Sequence, residues 1–154
     1  MLTPPPRDLN GVVEPHDHPE ISNDGGVIRR IPQHWVVPGK DGSPRLSSMA
    51  FKASSGENAG MSIDLEALIV AAGLDPRTYV NNPKWVGSVR FTAGSLRDEG
   101  FMVGYDPLDA EPPDQPANIF HGEVWGNFSK GKQRRLAEIA AWFVELPGVS
   151  LTAG

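Results

Sequence analysis

Residues 119–145 read IFHGEVWGNFSKGKQRRLAEIAAWFVE, and a change of periodicity inside this stretch decides the fold class. From Ile119 to Trp125 the residues alternate, with Phe120 and Val124 on one face and Ile119, His121, Glu123 and Trp125 on the other. A period of two is the mark of a strand. After Gly126 the period lengthens, and Leu136, Ile139, Ala140, Phe143 and Val144 recur at helical spacing. That stripe predicts a helix over about 131–145, packed on the sheet and stopped by Leu146-Pro147-Gly148. The segment reads as strand, then helix.

Working outward, Phe101, Val103 and Tyr105 share one face of a short alternating run. Trp85 to Thr92 alternates too, Trp85, Val89 and Phe91 against Ser88 and Arg90. Residues 93–99 between them have room for one or two helical turns. Ser62 offers an N-cap, Asp64 and Glu66 suit a first turn, and Gly73 suits a C-terminal stop, which predicts a helix over 63–72. Residues 27–37 carry Pro32 inside a β-branched run and predict a bent or edge strand. Residues 45–51 read as a strand or as a turn entering a short helix. Strands outnumber long helices and do not alternate strictly with them. The expected fold is α+β, a small mixed or antiparallel sheet with two main helices.

The chain has 154 residues, the size of one domain. Its 17 glycines and 15 prolines exclude a long-helix bundle or coiled coil and imply short elements joined by turns. With no cysteine there is no disulfide framework, no thiolate metal site and no thiol nucleophile. A formal charge of -5 and a pI near 5.3 disfavour a nucleic-acid-coating protein. No stretch reaches about 18 apolar residues and the start lacks a signal-peptide pattern, so a cytoplasmic protein without membrane contact is expected.

Much of the proline is confined to two acidic zones. Residues 1–26 hold five prolines and one arginine against five acidic residues, and read as an extended or disordered arm. Residues 106–116, DPLDAEPPDQP, carry four carboxylates and no base and read as a surface loop. The domain itself is expected at 27–149, with a flexible tail at 150–154.

Chemistry concentrates in the opening stretch. Gly126 to Lys132 forms a G-x-x-x-x-G-K string between strand and helix, the context of a phosphate loop. Gln133 stands where a magnesium-holding hydroxyl is needed, and the 22 residues after Lys132 cannot supply the further strands of an NTPase. What survives is physical. Lys130, Lys132, Arg134 and Arg135 crowd positive charge at a helix start, against the dipole, and an anion there would reverse the penalty. Arg30 and Arg90, on expected strands, need carboxylate or phosphate partners of their own. Ser47 and Ser48 are candidate ligand contacts, although no G-x-S-x-G elbow surrounds them.

His121 and Glu123 project from one strand face and suit proton transfer or a pair of metal ligands. Their H-x-E string lacks the P-C-x-x-C of the zinc deaminases, since the chain has no cysteine. His16-x-His18 lies in the arm without a rigid surround. No metal set and no cofactor is assigned. The sequence therefore points to a small protein recognising an anionic or phosphorylated ligand at the 129–135 helix start. Acid–base chemistry would fall to His121 and Glu123. The alternative is a non-catalytic interaction module, or a subunit of a larger assembly. The expected partner is a phosphorylated small molecule or another protein, with nucleic acid disfavoured.

Overall fold

The computed structural model describes residues 2–152. Six strands form one sheet: β1 Gly26–Ile31, β4 Met61–Leu65, β5 Gly87–Thr92, β6 Met102–Tyr105, β7 His121–Trp125 and β8 Ala141–Val144. Their order is β6-β7-β4-β1-β5-β8, and every neighbouring pair is antiparallel. A separate hairpin joins β2 Val36–Pro38 to β3 Pro44–Leu46. Among the described residues there are four short α-helices, α1 Glu66–Ala71, α2 Pro76–Val80, α3 Ala93–Asp98 and α4 Lys130–Ile139, and two single helical turns at Gln33–Trp35 and Ser48–Ala50. This is a mixed α/β fold built on an antiparallel sheet. Among the described residues no helix is long and apolar enough to cross a membrane.

Three elements depart from the sequence reading. The expected bent or edge strand over 27–37 divides at Pro32: Gly26–Ile31 is an interior strand between β4 and β5, and a single turn over Gln33–Trp35 leads into β2. The expected 131–145 helix ends at Ile139, and Ala140 turns to an extended backbone (ψ 149). Ala141–Val144 then becomes edge strand β8, with Trp142 opposite Val89 and Val144 opposite Ser88. An Ala-Trp-Phe-Val run is rich in strand-favouring side chains, and the open edge of β5 gives its amides partners. The helical stripe is met from two elements. Leu136 and Ala137 of α4 enter the main core, and Phe143 enters a second cluster.

The expected 63–72 helix is likewise divided. Met61–Leu65 is β4, because Ile63 and Leu65 bury in the main core while Asp64 turns to the opposite face and pairs with Arg30. Only Glu66–Ala71 is helical, closed by Gly73 at φ +79.

The sheet buries both faces. On one side Val27, Ile31, Ile63, Phe91 and Val124 pack with Leu96 of α3 and Leu136 of α4. On the other, Ile28 meets Ile69 of α1, Val80 of α2, Phe120 and Phe143. The second cluster is small, so the rest of that face is left for polar side chains.

Residues 2–25 form no helix and no strand, only bends, turns and isolated bridges, yet they are tied to the outer edge of β6. The His18 amide donates to the Val103 carbonyl at 2.9 Å. Asp17 Oδ1 accepts from the Val103 amide at 2.9 Å, and His16 Nε2 accepts from the Tyr105 amide at 3.1 Å. Val13 and Ile21 are buried beneath. Arg97 of α3 fastens the same segment through Asp17, Asn23 and the carbonyls of His18 and Ile21. At the far end Ser150 bonds to Pro44 and Leu46 beside the hairpin, and residues 153–154 lie outside the described residues.

Candidate functional site: a polar cleft on the sheet

The site begins with an interruption in the ladder. Registered pairing between β1 and β4 covers only Val27 with Leu65 and Ile28 with Asp64. Beyond it, the Ser62 carbonyl accepts from Arg29 Nη1 at 2.9 Å, while Arg29 Nε and Nη2 donate to the Ala50 carbonyl. The guanidinium also lies over the Trp35 ring, 4.9 Å from its centroid. Burial lowers the Arg29 pKa to about 10, which leaves it charged at neutral pH.

Its neighbour Arg30 points the other way and grips Asp64 with two bonds, Nε to Oδ2 at 2.7 Å and Nη2 to Oδ1 at 3.1 Å. Asp64 is 2% exposed, so this pairing is what makes its burial tolerable. The network continues from Asn118 Nδ2 to Asp64 Oδ1 at 2.8 Å, and from the Tyr79 hydroxyl to Asn118 Oδ1 at 3.1 Å. Burial, and then the nearby Asp64 charge, push the Tyr79 phenol above its ordinary value, so it remains a donor. Four side chains from β1, β4, α2 and the 106–118 loop form one chain of bonds.

His121 lies opposite Asp64 across the β4–β7 ladder. Its Nδ1 is 2.8 Å from the Asp106 carbonyl, which assigns the ring proton to Nδ1 and leaves a lone pair on Nε2. Burial holds the imidazole below its ordinary 6.5, against the opposing pull of Asp106 and Asp64, so the ring is neutral at pH 7. Two residues along the same face, Glu123 accepts from the Gly60 amide. Burial raises the Glu123 carboxyl to about 7; the Gly60 amide works against the rise and the neighbouring Asp106 adds to it. Donor atoms of Asp106, His121 and Glu123 lie within 4.8 Å of one another.

Beside His121 opens a cleft of about 720 Å³, flanked on one side by the 106–118 loop. Arg30, Asp64, Tyr79, Trp85, Asn118 and His121 are among its walls. The loop carries bridges between Leu108 and Asn118 and between Glu111 and Gln115, which hold it in shape beside the opening.

Of the residues singled out from sequence, Arg30 and His121 meet in the cleft, and Glu123 sits next to His121. The others lie elsewhere. Arg90 pairs with Glu66 of α1 at 3.0 Å. Ser47 accepts from the Met49 amide at the start of a single helical turn, and Ser48 lies inside that turn. Lys130 opens α4 in an exposed position, and Lys132 Nζ donates to the Glu99 carbonyl at 2.7 Å. Arg135 pairs with the Glu99 carboxylate. The basic helix start is thus opposed by the end of α3, whose carbonyls carry the negative end of a dipole.

Asp64, Tyr79, Asp106 and Asn118 were not singled out. Asp64 read as a first-turn acid of a helix, and the other three sit in a helix or in loops with no periodicity to mark them. Only the sheet order, which sets β4 between β1 and β7, brings them to one place.

Comparison with known protein families, curated proteins and solved structures finds no match. The cleft must be read from its own chemistry.

Proposed function

We propose that this protein binds a small anionic, phosphorylated ligand in the cleft over β1, β4 and β7, with His121 as the proton-exchanging group facing it. The placing of Lys84 with Trp85, His121 and Asn118 around one opening of about 720 Å³ carries the reading, while Arg30 is paired with Asp64 and Arg29 with backbone carbonyls. That volume suits a metabolite-sized molecule. Asp64 and Asp114 also line the opening, but Asp64 is already satisfied by Arg30 and Asn118. Lys84, standing over the Trp85 ring at 5.0 Å, gives an exposed cation beside a flat apolar surface. Such a pairing suits an anion attached to a planar or sugar-like body. A neutral imidazole with its Nε2 lone pair facing the ligand can accept a proton from a hydroxyl or a water. The Asp106 carbonyl fixes the ring for that role.

The experiment is a thermal-shift screen with inorganic phosphate, nucleoside monophosphates and sugar phosphates. A ligand at a hundred times its Kd stabilises by about 2.7 kcal/mol, or roughly 5–10 °C for a domain of this size. Lys84→Ala should remove the shift, and Lys130→Ala with Lys132→Ala should leave it intact. Absence of any shift, or its loss in the Lys130/Lys132 variant alone, overturns the cleft reading.

A further inference from the structure

Asp106, His121 and Glu123 are held together more closely than the ligand reading requires. We propose that they form a site for one divalent transition-metal ion of the zinc or manganese class, beside the cleft that His121 lines. The donors come from two segments fixed to each other by the sheet. Asp106 follows β6, and its amide donates to the His121 carbonyl at 3.0 Å, so the loop carboxylate is held opposite the β7 imidazole whatever occupies the gap. His121 Nδ1 stands 3.7 Å from Asp106 Oδ2. All three donor atoms fall within 4.8 Å of each other, so closure by roughly an ångström gives the spacing around a metal with bonds of about 2.0–2.2 Å.

Charge supplies the second, independent observation. Two carboxylates face one another, with Glu123 only 9% exposed, and among the described residues neither is ion-paired with a lysine or arginine. Arg29 spends Nε, Nη1 and Nη2 on the carbonyls of Ala50 and Ser62, and Arg30 is committed to Asp64. One nitrogen with two carboxylates suits zinc or manganese better than calcium, which needs six or more oxygens. The arm histidines offer no rival set. His16 uses both ring nitrogens on Glu14 and Tyr105, and His18 uses both on Thr3 and Glu20.

Coordination through Nδ1, the nitrogen beside Asp106, has a defined proton balance. The ring proton leaves Nδ1, breaking the hydrogen bond to the Asp106 carbonyl, and is carried on Nε2, so the imidazole stays neutral, and Glu123 releases whatever proton it holds. His121 then presents an N–H donor to the cleft instead of a lone pair. That donor role rests on the anionic-ligand reading; the ion site does not.

The test uses the full chain after chelator treatment, titrated calorimetrically with zinc or manganese chloride alone. One ion per chain is expected, weakened at least about tenfold by Asp106→Asn and by Glu123→Gln. Both substitutions preserve shape, and Glu123→Gln keeps the acceptor for the Gly60 amide, so melting curves verify that each variant is folded. Nitrogen-15 spectra of His121 should pass from the Nδ1–H to the Nε2–H tautomer on zinc addition. Absence of binding at millimolar metal overturns the site, as does binding that both variants retain. Loss of metal binding with phosphate-ligand shifts intact, or the reverse, separates this inference from the ligand reading.

Discussion

Glu123→Gln should make the chelator-treated protein more stable at pH 8 and leave it nearly unchanged at pH 5. The Glu123 carboxyl is raised from an ordinary 4.5 to about 7, first by burial. The native state therefore binds more protons than the unfolded chain between these values, and stability must fall as pH rises through this window. Above pH 7 the whole penalty is present; below 4.5 it is absent. The displacement corresponds to at most about 3 kcal/mol. Glutamine imitates the protonated acid at every pH, accepting from the Gly60 amide and offering a donor to Asp106. The substitution should thus flatten the slope, with a gain of several degrees in Tm at pH 8 at roughly 2–4 °C per kcal/mol. Urea unfolding of both proteins from pH 4.5 to 8.5 in EDTA measures it directly. Equal slopes in the two proteins, or a glutamine variant less stable at pH 8, would refute the claim that burial outweighs the nearby Arg29 charge at Glu123.

Three further expectations concern the frame around the site. Asp64→Ala leaves the Arg30 guanidinium and Asn118 without their partner and should cost about 3 kcal/mol in urea unfolding, part of it recovered when Arg30→Met is added. Asp17→Ala removes the acceptor for the Val103 amide and a partner of Arg97; about 1–2 kcal/mol should be lost, with faster hydrogen exchange at Val103 than at Val124. Gly122→Ala would set a methyl 2.5 Å from the Gly104 carbonyl, so β6 and β7 must part; a loss of about 2–3 kcal/mol is expected in thermal unfolding.

The class of the fold was legible because alternation marks β5, β6 and β7 directly. The helix boundaries were not. Ala141–Val144 continues the 3.6-residue stripe of α4 by coincidence of composition, since Phe143 is apolar for a different cluster on the opposite face of the sheet. Only the free edge of β5 decides between helix and strand there, and that edge is a property of the assembled sheet. Ser62 and Asp64 resemble a helix start because short polar residues serve caps and strand networks equally well. In the site, His121 and Glu123 share a face by local geometry and could be paired from sequence. Asp106, fifteen residues before His121, could not, and neither could the meeting of Arg30 with Asp64 across 34 residues. The basic helix start stood out because four charges are adjacent, and adjacency is no guide to which groups share a cleft.

The manner in which residues 16–18 close the edge of β6 bears on how the chain is made. Val103 and Tyr105 receive His16, Asp17 and His18 across more than eighty residues. During vectorial synthesis residues 16–18 have no place to lie until β6 has emerged, and α3 must follow β5 before Arg97 can fasten them. The early chain must therefore remain uncommitted while most of the sheet is still to come. A proline-dense stretch suits this wait, being poor at helix and strand alike and slow to enter a competing pairing. A composition that read as a sign of disorder thus belongs to a segment whose order is supplied by a strand more than eighty residues later.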